Sequence, residues 1–181
     1  MNPYDGGYNY GVWLCPGNQE KLAELIAKHN VKTVLEIGSC YGASACWFAR
    51  EGCVVTCVDL WCAIPEHGVP AYVFDIFKRN TEGYPVSTVH GDSHSWDTLA
   101  YVGRLIGSVD LVYIDGSHDY EGVRQDIEMY GPLATKVLCG DDYDRDLPSV
   151  AGVIRAVDEC VPDRKVHGRF WYKENSDEMV R

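Results

Sequence analysis

Residues 33–44 read TVLEIGSCYGAS: a mostly apolar strand-forming run, a turn bracketed by Gly38 and Gly42, then small residues that open a helix. The run finishes on a carboxylate, Glu36. Four further apolar runs do the same: VVTCVD at Asp59, VSTVHGD at Asp92, DLVYID at Asp115 and KVLCGD at Asp141. Short apolar runs separated by helix-length segments read as buried parallel strands. In an open parallel sheet, ligands lie outside the carboxyl ends of the strands. The chain is therefore expected to form a three-layer α/β sandwich whose ligand edge carries a row of acidic side chains. Such a row calls for a cationic or hydroxyl-rich partner.

The segments between these runs fit that frame. Asn18 is expected to cap a first helix in which Leu22, Leu25, Ile26 and His29 share a face and Asn30 ends the turn. Strands are read at Lys32–Ile37, Cys53–Val58, Val86–His90, Asp110–Ile114 and Val137–Cys139. Helices are read around Trp47 and Phe48, over Ala71–Asn80 and Trp96–Ile106, and where Val123, Ile127 and Tyr130 repeat at helical spacing. Pro148 opens a last helix, with Val153, Ile154 and Val157 inward and Pro162 at its end. The tail, Lys165–Tyr172 and a run near Met179, is expected to pair as an antiparallel hairpin. The organisation read from this is an N-terminal arm or lid over residues 1–16 and a single domain over 17–181.

Composition narrows the partners. The 181 residues carry a formal net charge of −11, and a phosphate backbone demands clustered Lys and Arg, so nucleic acid is excluded as the main partner. No stretch approaches the roughly 18–20 apolar residues of a membrane span, and MNPYDGGYNY lacks the regions of a signal peptide. No membrane partner and a cytoplasmic location are expected. The eight cysteines form no CxxC pair and no metal-ligand spacing with His. Cys53, Cys57 and Cys139 fall in strand runs, where a thiol packs as a small hydrophobe.

The turn after the first strand carries the first chemistry. Glycine lets backbone approach a ligand closely, and a helix start offers free amides. A dinucleotide fold would place G-x-G-x-x-G here; the pattern is G-x-x-x-G, with Glu36 just before it. That carboxylate would repel a pyrophosphate but suits a cation. Asp59, about twenty residues on, stands where an acidic side chain grips the hydroxyls of an adenosine ribose. Trp61 either stacks on an adenine or packs in the core, and Asp92 with Ser93 lies where the adenine edge would arrive.

These residues resemble those of class I S-adenosylmethionine-dependent methyltransferases, and LEIGSCYGAS is similar to the cofactor motif of catechol O-methyltransferases. IDGSHDYEGVRQDI followed by CGDDYDRDLPSVAGVIRAVDE resembles the small family that includes macrocin-type sugar O-methyltransferases. The resemblance covers most of residues 31–160. It implies a Rossmann-like fold with a mostly parallel seven-stranded sheet and an antiparallel seventh strand. It implies that Glu36, Gly38, Ser39, Cys40, Tyr41, Gly42 and Ser44 contact or shape the cofactor pocket, with Asp59, Leu60, Trp61, Asp92, Ser93 and Asp115 around the nucleoside. It also implies a Mg²⁺ or other hard divalent cation on Asp115, Asp141 and Asp142. Independently, three carboxylates gathered at adjacent strand ends repel one another unless a cation intervenes, and oxygen ligands suit a hard ion.

His118 lies three residues after Asp115, the offset at which catechol enzymes carry their catalytic lysine. It is read as the base that takes a hydroxyl proton, as a histidine steadying Asp115 or Asp142, or as an adenine contact. Tyr120, Tyr143, Asp144 and Arg145 are expected to border the acceptor, and His94 and His167 are weaker candidates for the base. The expected activity is methyl transfer from S-adenosylmethionine to a hydroxyl of a small molecule, under the N-terminal arm or a second copy of the chain. The alternatives are a cofactor-binding protein without transferase activity and an NAD-dependent oxidoreductase or epimerase.

Overall fold

The structure, a computed structural model, describes residues 16–65 and 68–175. The chain alternates helix and strand as α1 (Pro16–His29), β1 (Thr33–Ile37), α2 (Ala43–Arg50), β2 (Val54–Asp59), α3 (Val73–Thr81), β3 (Val86–His90) and α4 (Trp96–Ile106). It continues as β4 (Val109–Ile114), α5 (Tyr120–Tyr130), β5 (Ala134–Gly140), α6 (Ala151–Cys160), β6 (Lys165–His167) and β7 (Phe170–Glu174). The seven strands form one sheet in the order β3-β2-β1-β4-β5-β7-β6. Strands β1 to β5 pair in parallel, while β7 runs antiparallel to both β5 and β6.

Alternation along the strands divides the core into two layers. Val34, Val55, Cys57, Tyr113, Val137 and Cys139 face one side, where Leu22 and Leu25 of α1, Phe48 of α2 and Phe77 of α3 cover them. Leu35, Ile37, Val58, Val112, Ile114 and Leu138 face the other, under Val102 of α4, Val123, Ile127 and Tyr130 of α5 and Val153 and Val157 of α6. Each side chain of Phe or Leu size buried in this way contributes about 1.5–3 kcal/mol. The central strands β1, β2, β4 and β5 are buried almost end to end, the pattern of strands covered on both faces. The edges β3 and β6 are mostly exposed and short, as sheet edges that must resist further pairing tend to be.

Several local expectations shift. Asn18 is not a cap: α1 already starts at Pro16, and the Asn18 side chain is buried and donates to Asp141 at 2.9 Å. The hairpin forms within Lys165–Glu174, turning at Gly168, where φ is 61°. The run near Met179 and the proposed arm, apart from Pro16, lie outside the described residues. Strand β5 is longer than its apolar centre: Ala134 pairs with Val109 of β4, and the Lys136 carbonyl accepts from Asn175 N, just past the end of β7, at 2.8 Å. No helix among the described residues is long and apolar enough to cross a membrane.

Candidate functional site

The sheet order reverses direction between β1 and β4, and there the β1 exit packs tightly against the β4 exit. Gly38 has φ 86°, and a Cβ on it would lie 2.3 Å from the Asp115 carbonyl oxygen. Only glycine allows both the left-handed turn and that contact. Ladder bonds then hold each strand exit against its neighbour: Gly38 N donates to Val58 O at 2.9 Å and Asp115 N to Ile37 O at 2.8 Å. Asp141 N donates to Ile114 O at 3.3 Å and Gly91 N to Asp59 O at 3.0 Å. One rim therefore carries Glu36, Asp59, Asp92, Asp115 and Asp141.

On the β1–β2 side the carboxylates are consumed by the turn itself. Glu36 is fully buried and accepts from Ser39 Oγ at 2.6 Å, from Ser44 Oγ and from Cys57 Sγ at 3.2 Å. Burial pushes its carboxyl up, and these three donors oppose that rise. Cys57 is thus a donor as well as a packing residue. Asp59 accepts from Ser39 N at 2.7 Å and Cys40 N at 2.8 Å with one oxygen, and from Trp61 N at 2.6 Å with the other. The turn holds Cys40 at φ 42°, and burial pushes its thiol up to about 12. Gly42 opens α2 at φ 85°, its vacant Cβ position filled by Phe77 and Thr81, while the Tyr41 carbonyl accepts from Asn80.

Trp61 is 4% exposed, with its ring against Phe74 at 4.6 Å and Phe77 at 4.7 Å. The side chain that emerges at this strand end is Leu60, which is half exposed. At the end of β3, Asp92 accepts from His94 N at 2.9 Å and the Ser93 carbonyl accepts from the Tyr130 hydroxyl at 2.8 Å. Sequence reasoning passed over Asp126 beneath them. It is fully buried, 3.4 Å from His94 Nε2, and burial pushes it up to about 6.

On the β4–β5 side the carboxylates face one another. Among the described residues, one group of three can converge ligand atoms on a metal: Asp115, His118 and Asp142, whose atoms lie within 4.8 Å of one another. The sequence placed Asp141 in that trio and His118 beside it. Asp141 adjoins that group in the same cleft, its Oδ1 accepting from Asn18 Nδ2 at 2.9 Å and from Asp142 N at 2.8 Å. Asp142 takes a left-handed φ of 62°, and its Oδ2 lies 2.9 Å from His118 Nε2. A small cleft lined by Ile114, Asp115, Ser117, His118, Asp141, Asp142 and Trp171 opens here.

The electrostatics separate these acids. Burial, then the charges of Asp141 and Asp142, push Asp115 well above the usual carboxylate range. Burial pushes Asp141 up to about 6. Burial acts upward on Asp142 too, but His118 and Arg169 outweigh it and hold the group below its ordinary value. His118 is raised, chiefly by its hydrogen bond to Asp142. Arg169 was not foreseen: it stands in the β6–β7 turn, pairs with Asp142 Oδ1 and reaches within 3.7 Å of Asp144. Only its neighbour Gly168 hinted at a turn there.

The expected acceptor-border residues divide. The Tyr143 ring is buried, its hydroxyl donating to Asp158 at 2.6 Å and accepting from Arg145, and the Tyr120 hydroxyl donates to Glu159 at 2.5 Å. Both tie the site loops to α6. Asp144 stays near Arg169, His94 belongs with Asp126, and His167 is exposed on β6 outside the cluster.

Residues 35–143 match the model of a family described as a methyltransferase domain. Among solved structures, the chain is similar to an O-methyltransferase from Bacillus cereus in complex with SAH, with a TM-score of 0.65 and 20% identity over 89% of this chain and 81% of that one. A putative caffeoyl-CoA O-methyltransferase from Staphylococcus aureus gives 0.63 and 18% over 87% and 82%. The MycE methyltransferase of the mycinamycin pathway, in complex with Mg and SAH, gives 0.59 and 15% over 90% of this chain and 50% of that one. No curated protein matches the chain. The family match spans more than half of the sequence and contains both the Gly38 turn and the Asp115–Asp142 cluster. The chain belongs to the methyltransferase-domain family, with the fold of the class I S-adenosylmethionine-dependent enzymes.

Proposed function

We propose that this protein transfers the methyl group of S-adenosylmethionine to a hydroxyl oxygen of a small molecule at a divalent-cation site. The observation that carries the reading is the convergence of Asp115, His118 and Asp142 beside the Gly38 turn, at the point where the strand order reverses. The neighbours' SAH and Mg complexes support it. The nucleoside would lie over the turn, with its ribose toward Asp59, its adenine near Leu60, Asp92 and Ser93, and its sulfonium on the acidic side of the rim. Asp59 would exchange one of its present amide partners for a ribose hydroxyl.

The residues present fit a hard divalent ion. Asp115 and Asp142 offer carboxylate oxygens and His118 a ring nitrogen, with Asp141 adjoining, and Asp115 is displaced upward by burial first and then by the neighbouring charges of Asp141 and Asp142, which a cation would offset. A bound Mg²⁺ would orient the acceptor hydroxyl and lower its pKa. The acceptor oxygen then bonds to the methyl carbon as the carbon–sulfur bond breaks, its electrons passing to sulfur. Where Asp115 and Asp142 hold the ion without His118, the hydroxyl proton passes to His118, which Asp142 makes more basic; an imidazole on the ion has no lone pair left to take it. Holding the two reactants in line can supply roughly 7–11 kcal/mol of the rate gain.

Thermal shift and methyl transfer together test the reading. SAH should raise the melting temperature while NAD⁺ does not, and transfer to hydroxylated acceptors should require a divalent ion and stop in EDTA. Stabilisation by NAD⁺ rather than SAH would reject the cofactor, and EDTA-resistant transfer would reject the metal.

A further inference from the structure

Both oxygens of Asp142 are already engaged. Oδ2 faces His118 Nε2 at 2.9 Å, and Oδ1 pairs with the Arg169 guanidinium. These partners differ in what they can become. An imidazole has a lone pair and can stay as a metal ligand, whereas a guanidinium has donors only and is always cationic. An ion that ligates Asp142 therefore shares the site with His118 but competes with Arg169.

The fold also gives Arg169 somewhere else to go. Antiparallel pairing of Gly140 with Trp171 carries the β6–β7 turn past the end of β5, which places Arg169 beside the Asp142 loop. The Arg169 carbonyl accepts from Tyr143 N at 2.8 Å, so its backbone is fixed to that loop. Its Nε lies 3.7 Å from Asp144 Oδ2, and its side chain is 37% exposed. The head group can leave Asp142 for Asp144 without any movement of the chain.

We propose that Arg169 is a tethered cation that occupies Asp142 in the metal-free protein and yields to the divalent ion by moving to Asp144, thereby setting the ion concentration at which the site fills. The proposal rests on the metal reading given under Proposed function. Arg169 is a positioning residue here: it acts on Asp142, not on the reacting atoms. Its effect on ion affinity should be moderate, because an exposed guanidinium is partly screened by water.

Mn²⁺ binding followed by electron paramagnetic resonance, with no cofactor or acceptor present, tests it. Arg169→Gln should bind Mn²⁺ about tenfold more tightly than the wild type, and Arg169→Lys, which keeps the charge, should stay near the wild type. Unchanged or weaker binding by Arg169→Gln, with the wild type still binding, overturns the proposal and leaves the metal reading intact. Absence of Mn²⁺ binding in all three proteins overturns both. In EDTA, Arg169→Gln should lower the melting temperature in the wild-type background and not in Asp142→Asn. An equal loss in both backgrounds places the partner of Arg169 elsewhere and overturns the proposal.

Discussion

The two halves of the acidic rim dispose of their carboxylates in opposite ways. At β1 and β2, Glu36 and Asp59 are surrounded by neutral donors: two hydroxyls, a thiol and three backbone amides. Charge buried among such donors is tolerable and rigid, and these acids act as struts for the turn. At β4 and β5, Asp115, Asp141 and Asp142 have one another as neighbours, relieved by one guanidinium and one imidazole. That half is under electrostatic load, and it is where an added cation gains most. Acids at one sheet edge are held by neutral donors on one side of the reversal and crowd one another on the other.

Substitutions can break this contrast, and the largest effect expected is on turnover. Asp142→Asn should lower methyl transfer by about a hundredfold or more, the equivalent of the several kcal/mol a bound cation supplies, while SAH still raises the melting temperature. Retained turnover would show that the β4–β5 acids are not the chemical half.

Next in size is Gly38→Ala, whose Cβ meets the Asp115 carbonyl and whose φ stays left-handed. It should cost about 3 kcal/mol in urea unfolding. A loss under 1 kcal/mol, on that same scale, would mean that the two halves are not locked together at the reversal.

The opposed substitutions Glu36→Gln and Asp115→Asn sharpen the contrast. Glu36→Gln leaves Ser39, Ser44 and Cys57 short of acceptors and should destabilise the fold by about 1–3 kcal/mol. Asp115→Asn removes a crowded charge and should raise the melting temperature in EDTA. The same sign for both would erase the distinction.

The smallest effect is in pH. A carboxyl raised in the fold keeps its proton after the unfolded chain has released its own, so its stabilisation is complete below the unfolded value and is lost as pH rises through the folded one. For Asp141, pushed up to about 6, the metal-free protein should lose about 2 kcal/mol as pH rises from about 4 to 6, then level off. Mg²⁺ added at neutral pH should restore most of that loss. Asp126, also near 6 but buried away from the cluster, should keep its share of the slope with or without the ion. An Asp141→Asn variant whose pH slope across this window equals that of the wild type would contradict the upward displacement of Asp141.

Much of the rim was legible because it is local. A strand run, a glycine turn and a carboxylate at the exit are neighbours in sequence, and parallel pairing aligns successive exits without further information. The mostly parallel seven-stranded sheet with its antiparallel seventh strand followed from the methyltransferase resemblance, and the observed sheet bears it out; the place of the reversal, between β1 and β4, came only with the structure. Trp61 illustrates the other limit. An aromatic at a strand exit suits an adenine face and a core equally, and only the placement of Phe74 and Phe77 on α3 drew it inward.

By itself the sequence determined the layered α/β frame and which strand ends carry acid, because periodicity and turn chemistry act within about ten residues. Which acids ended as struts and which as a crowded cluster was decided only in three dimensions. Asn18 reaches Asp141 from 123 residues away, and Arg169 reaches Asp142 across a hairpin 27 residues on. Coulomb interaction and hydrogen bonding depend on distance in space, and chain spacing sets no such distance until the sheet has closed.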